Sequence, residues 1–191
     1  VLLRNEGNDA SGVPRFNDVA MAVGADDARD GRGTAAADFD NDGDLDLVVN
    51  NNPGDTGRAE LSRATVLRNN VGERRAWLAV ELRGTRVNRD GVGALVTIET
   101  GAERQVRLAG AGSGFASQQS GRLYFGLGGR ETVDALTVRW PGGRVERFED
   151  IAGQPITARR LVRITEGEGA ELLSLPAMPP QPAGNQLVTA K

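Results

Sequence analysis

Apolar residues recur at every second position along most of this chain. Trp77, Ala79 and Glu81 alternate with Leu78, Val80 and Leu82; Val106 and Leu108 flank Arg107; Leu136, Val138 and Trp140 alternate with Thr137 and Arg139. Period two sends successive side chains to opposite faces of an extended backbone, so these segments are predicted as half-buried strands. Turn formers separate them at Arg83-Gly84, Asp90-Gly91, Thr100-Gly101 and Gly128-Gly129. Pro141-Gly142-Gly143 lies between TVRW and RVERF, where a hairpin turn is expected. Helical periodicity is weak, with a short turn near Phe16 to Ala22 or around Glu60 to Arg63 as the best candidates. VLLRNEG at Val1 to Gly7 returns as TVLRNNVG at Thr65 to Gly72, which suggests a repeated strand-and-turn unit. The pattern predicts an all-β chain.

Composition agrees with that reading. The 191 residues contain 26 glycines and 4% aromatics, a turn-rich balance with length for one or two domains. The net charge of −3 gives no reason to expect nucleic acid as a partner. Charge is uneven: residues 1–72 carry 13 acids and 7 arginines, whereas residues 73–165 carry 10 acids and 15 arginines. Two such modules either attract one another or present two solvated surfaces. Cysteine and histidine are absent, which excludes disulfides, thiol nucleophiles, zinc sites built on thiolate or imidazole, and a serine–histidine triad. No apolar run approaches the roughly 18 residues of a membrane helix, so no membrane span is expected. With neither a starting Met nor a signal-peptide pattern, the chain is expected to lack its first residues. From Glu166 it turns rich in small residues, with Pro176, Pro179, Pro180 and Pro182 favouring an extended course. That segment reads either as a floppy tail or as an arm whose GNQLVTA piece pairs with another subunit.

The most specific chemistry lies in DFDNDGDLD, which packs Asp38, Asp40, Asp42, Asp44 and Asp46 into nine residues. Acids stand at positions one, three, five, seven and nine, and Gly43 at six permits a sharp turn. Five carboxylates this close repel one another unless a cation sits among them. Calcium takes six to eight oxygens and suits a curled loop offering alternate side chains, whereas magnesium prefers a tighter octahedron. Asp44 is expected to give its backbone carbonyl and to turn its carboxylate to water. The loop is not an EF-hand: position twelve is Val49 rather than Glu, and LDLVV reads as a strand. A β-hairpin calcium loop is expected, an acidic turn without metal being the alternative.

With these residues in view, FNDVAMAVGADDARDGRGTAAADFDNDGDLDLVVNN resembles an FG-GAP/VCBS-type repeat, the unit of integrin-like β-propellers. The resemblance covers residues 1–72. It implies Ca²⁺ bound through Asp38, Asp40, Asp42 and Asp46, with the carbonyl of Asp44. Residues 73–165, through LRGTRVNRDGVGA, GSGFASQQS, RLYFGLG and VRWPGGR, resemble the ASPIC/UnbV domain, which commonly follows FG-GAP repeats in secreted proteins and implies no established reaction. The expected fold is one propeller-blade-like unit with a calcium hairpin loop, an antiparallel β-sandwich or jelly-roll-like domain, and an extended Pro-rich tail over 166–191.

Within the second module, Asn88, Asp90, Gly91 and Gly93 suit a turn with left-handed residues and side-chain-to-backbone bonds. Ser113 to Ser120 is a polar loop that either binds a sugar hydroxyl or satisfies buried backbone. Trp77 and Trp140 read as core, with stacking on sugar rings as the alternative. Glu146 and Glu149 resemble a glycosidase pair only in being two acids near each other. A propeller needs four to eight blades, and residues 1–72 supply about one, so its edges and faces need cover. The cover is expected from a longer protein, from the chain's own second module, or from copies of the chain. The functional expectation is an extracellular or cell-surface, calcium-stabilised structural or adhesive protein, of bacterial secreted type, not an enzyme. It is expected to self-associate as a homo-oligomer or homopolymer through open β edges and the tail. A glycan-binding module and a C-terminal fragment of a larger FG-GAP propeller protein are the alternatives.

Overall fold

The computed structural model describes residues 1–27, 29–52, 63–70, 75–112, 114–175 and 188–189. The first module holds β1 (Leu3–Asn8), β2 (Pro14–Asp18), α1 (Ala20–Val23), β3 (Asp30–Ala37), β4 (Asp46–Asn52) and β5 (Thr65–Arg68). The second holds β6 (Ala76–Arg83), β7 (Leu95–Thr100), β8 (Glu103–Leu108), β9 (Leu123–Gly128), β10 (Thr132–Val133), β11 (Ala135–Arg139), β12 (Val145–Phe148), β13 (Asp150–Ile151), β14 (Gln154–Thr157), β15 (Arg160–Thr165) and β16 (Gly169–Leu173). A last strand, β17 (Val188–Thr189), follows.

The chain is all-β, as its period-two pattern predicts. The second module stacks two four-stranded sheets, ordered β12-β11-β7-β8 and β16-β15-β6-β9. Inward residues of both sheets fill one core, with Leu78, Val80, Val96, Ile98, Phe125, Leu136, Val138 and Trp140 among its most buried members. Burying each large side chain contributes about 1.5–3 kcal/mol, which makes this core the main source of stability. The PGG hairpin forms as expected. Trp140 N–H donates to the Arg144 carbonyl across a turn in which Gly142 and Gly143 take φ of 90° and 98°. One departure concerns direction: β15 runs parallel to β6, from Arg160↔Leu78 to Thr165↔Arg83, so the sandwich is not wholly antiparallel. Alternation alone cannot report strand direction, because both pairings bury the same faces.

β6 is buried on both sides. Ala76, Leu78, Val80 and Leu82 join the main core, while Trp77 and Ala79 form a second cluster with Leu161 on the outer face. Tyr124, Leu173 and Leu175 pack against that cluster. A sandwich normally leaves such a face to solvent; here the first module meets it at Trp77 and Tyr124.

The first module is a sheet ordered β17-β5-β4-β3, beside a separate β1-β2 hairpin. The sequence echo falls on β1 and β5. Of the helical turn expected near Phe16 to Ala22, Phe16 to Asp18 lie instead in β2, and α1 begins only at Ala20; residues 60–62 of the other candidate lie outside the described residues. Both edges of the blade are covered within the chain. Along β3, Ser117 Oγ donates to the Thr34 carbonyl (2.8 Å) and Ser120 N–H to the Ala36 carbonyl (3.2 Å). This polar loop therefore satisfies backbone, although Ser113 lies outside the described residues. Along β5, β17 pairs in parallel, Val188 with Leu67 and Thr189 with Arg68. The strand-like end of the chain thus meets its own blade, whereas β1-β2 forms a separate two-stranded sheet.

The sandwich also runs past residue 165, since β16 pairs with β15 from Thr165↔Gly169 to Leu161↔Leu173. Glu166, between these strands, is 3% exposed. Its Oε2 accepts the N–H groups of Thr85, Arg86 and Val87 at 3.1, 2.8 and 3.1 Å. Those donors, Arg86 first, hold its carboxyl below the usual carboxylate range. A lowered folded-state value means the stabilisation is complete above about 4.5, the ordinary value, and fades as pH falls through the folded-state one. Glu166→Gln is therefore expected to melt below the parent at pH 7, with the gap closing in acid. Identical melting curves at pH 7 would show that the charge contributes nothing.

Candidate metal centre and the module junction

The aspartate loop joins β3 to β4. Asn41 at φ 59° and Gly43 at φ 98° curl the backbone, and the curl is held by the carboxylates themselves. Asp38 Oδ1 accepts Asp42 N–H (3.1 Å), Asp38 Oδ2 accepts Gly43 N–H (3.0 Å), and Asp42 Oδ1 accepts Asp44 N–H (3.1 Å). Side chains that bond neighbouring backbone in this way favour a tight turn over a continued strand.

Asp38, Asp40 and Asp42 each bring a carboxylate oxygen within 4.8 Å of the others. The Asp40 side chain is 9% exposed, and its Oδ1, like Oδ2 of Asp42, has no hydrogen-bond partner among the described residues. Buried acceptors without donors are costly, and a hard cation is the group that would satisfy several at once. Arg68 of β5 stands beside them, 2.5 Å from Asp40 Oδ2 and 3.6 Å from Asp42 Oδ2. One guanidinium offsets part of the repulsion and leaves Asp40 Oδ1 and Asp42 Oδ2 without a hydrogen-bond donor among the described residues. Burial pushes the Asp38 carboxyl above its usual range, and the Asp42 charge adds to the effect. The residues present therefore fit a calcium ion.

The five predicted residues do not all converge. Asp38, Asp40 and Asp42 converge. Asp46 is 2% exposed and stands outside that trio: its Oδ2 accepts Phe39 N–H (3.0 Å) and its Oδ1 accepts Asn69 N–H (2.8 Å), tying the loop to the end of β5. Asp44 departs from expectation, because its side chain is buried rather than turned to water. The left-handed Gly43 before it swings the chain inward, and Leu45 takes the outward position at 40% exposure.

The loop also meets the second module, which its spacing does not reveal. A Cβ built on Gly43 would lie 1.8 Å from Cε2 and Nε1 of Trp77, so the indole rests directly on the loop backbone. Tyr124 Oη donates to Asp38 Oδ2 (3.2 Å), and an Arg122 guanidinium N–H donates to Asn41 Oδ1 (3.4 Å). Burial and the Asp38 charge push the Tyr124 hydroxyl up to about 12, so it keeps its proton and donates. Glycine at position six thus serves two needs, a left-handed turn and space for an indole.

Other candidates take structural roles. Trp77 and Trp140 are both buried, so the exposed indole required for sugar stacking is not there. Trp140 Nε1–H donates to Glu146 (2.6 Å), whose other oxygen accepts Gly167 N–H (2.9 Å) and pairs with Arg144. Glu149 is an exposed partner of Arg147. Asn88 Oδ1 accepts Val92 N–H (2.7 Å), as the turn reading expects.

Comparison with known proteins matches these modules. Residues 31–67 match the family model of the FG-GAP repeat, and residues 84–171 match that of ASPIC and UnbV. The chain thus carries an FG-GAP repeat followed by an ASPIC/UnbV domain. Among curated proteins it is similar to cartilage acidic protein 1 of Mus musculus, 34% identical over 119 residues, which is 61% of this chain. The namesakes from Xenopus tropicalis and Homo sapiens are 33% identical over 119 residues and 61% of this chain. The matched segment spans 17% of the length of each relative. All three are vertebrate proteins and lend nothing to the expectation of a bacterial-type source.

Gly43→Ala is expected to destabilise the chain by about 2–4 kcal/mol, combining overpacking against Trp77 with strain at a positive φ. Chemical denaturation measures this, and a loss under about 0.5 kcal/mol, the range of an ordinary surface change, would contradict the contact.

Proposed function

We propose that this chain is an extracellular structural module whose blade is held in shape by calcium and by its own second domain, with no catalytic role. The buried, donor-free oxygens of Asp40 and Asp42 beside Asp38 carry the calcium reading. Asp38, Asp40 and Asp42 would hold the ion, with the Asp44 carbonyl, while Asp46 braces the loop from behind. When bound, calcium supplies positive charge that cancels the repulsion among these carboxylates. Extracellular calcium modules work at Kd around 10⁻⁴ to 10⁻³ M, which suits a loop of this kind outside the cell. FG-GAP repeats generally bind calcium, and similarity to proteins named for cartilage supports the same setting. No helix among the described residues is long and apolar enough to cross a membrane.

The reading assigns no reaction. The two acids considered as a hydrolytic pair are committed elsewhere, Glu146 to Trp140, Gly167 and Arg144, and Glu149 to Arg147.

One observation favours a second reading, self-association through the N-terminal hairpin. Leu3, Val13 and Phe16 on β1, its turn and β2 are each more than half exposed, as is Met21 of α1. Apolar side chains gathered on one hairpin suit burial against a further blade, supplied by another copy. Sedimentation at rising concentration is expected to show association that Phe16→Ser weakens. A single monomeric species at every concentration would remove this reading.

Calorimetric titration is expected to detect one calcium per chain. At tenfold saturation the ion stabilises the fold by roughly 1.4 kcal/mol. Asp40→Asn should abolish that gain while leaving the melting temperature in EDTA little changed. Equal calcium-dependent shifts in parent and variant would remove the loop from the calcium account.

A further inference from the structure

We infer that the second module is part of the calcium site's outer shell, so that cation binding and docking of the two modules are one coupled event. This rests on the calcium reading above and concerns residues of β6 and β9 that the loop's own spacing does not include.

Tyr124 of β9 is separated from Asp38 by 86 positions, yet its hydroxyl donates to the same oxygen that accepts Gly43 N–H. That bond fixes the Asp38 carboxylate and leaves its charge available to a cation. Outer-shell partners of this kind orient metal ligands and contribute to affinity. Trp77 of β6 supports the other side of the turn, filling the space that a Cβ at residue 43 would need. Its ring also lies near that of Tyr124, with centroids 6.4 Å apart, so the two aromatics form one platform under the loop. The platform is the outer face of a sheet whose inner face belongs to the sandwich core. Any change in loop shape on cation binding must therefore be felt at Trp77. By reciprocity, loss of the platform weakens the cation by the same factor that the cation strengthens docking.

The two indoles allow a test without tagging. Trp77 lies at the junction, whereas Trp140 lies in the sandwich core with its N–H held by Glu146. In ¹⁵N-labelled full chain, with indole signals assigned through backbone connectivities, calcium is expected to move the Trp77 signal and leave that of Trp140 in place. In parallel calorimetry, Tyr124→Phe should weaken calcium by about tenfold, the low end for an outer-shell partner. Its melting temperature in EDTA serves as the check on folding. A parent that binds calcium while Trp77 stays still and Tyr124→Phe keeps parental affinity would overturn the coupling and leave the calcium reading standing. No calcium heat in the parent would overturn both.

Discussion

The indole of Trp77 lies where a side chain at residue 43 would have to stand, and the arrangement of the chain follows from that contact. It requires glycine in the loop, an aromatic on the outer face of β6, and a sandwich sheet buried on both sides. A lone blade is a poor folding unit, with two backbone edges to satisfy and too few strands to enclose a core. Here the sandwich supplies what neighbouring blades would supply in a ring. The Gly114–Ser120 segment runs beside β3, β17 lies along β5, and β6 with β9 sits under the aspartate loop.

Electrostatics acts in the same place. Three carboxylates converge in a partly dehydrated loop with one guanidinium beside them. Burial raises the Asp38 carboxyl above its ordinary range, so ionising it in the fold is costly without further positive charge. A cation would relieve that cost at the point where the two modules touch. Arg68, which pairs with Asp40 and Asp42, belongs to the blade itself, and the basic half reaches the loop through Arg122, which donates to Asn41 across the junction.

What the sequence made legible was local. Asp38 to Asp46 announce their turn through spacing and one glycine, and alternation over Trp77 to Leu82 gives a strand and its faces. The PGG turn and the Asn88 turn follow from residues close together in the chain. What stayed hidden depends on distant pairing. Nothing local tells that Tyr124 will reach Asp38, that β15 will lie parallel to β6, or that Glu166 will gather three amide N–H groups from residues 85–87. The inward turn of the Asp44 side chain is hidden for a related reason. Alternation holds along a straight strand, and the left-handed Gly43 breaks it one residue earlier.

If cation binding and docking are coupled, blade and sandwich unfold as one cooperative unit joined through the aspartate loop. Differential scanning calorimetry of the full chain, with and without calcium, tests it most directly. A single transition that calcium moves to higher temperature as a whole is expected. Two separate transitions, with calcium moving the lower one alone, would contradict it.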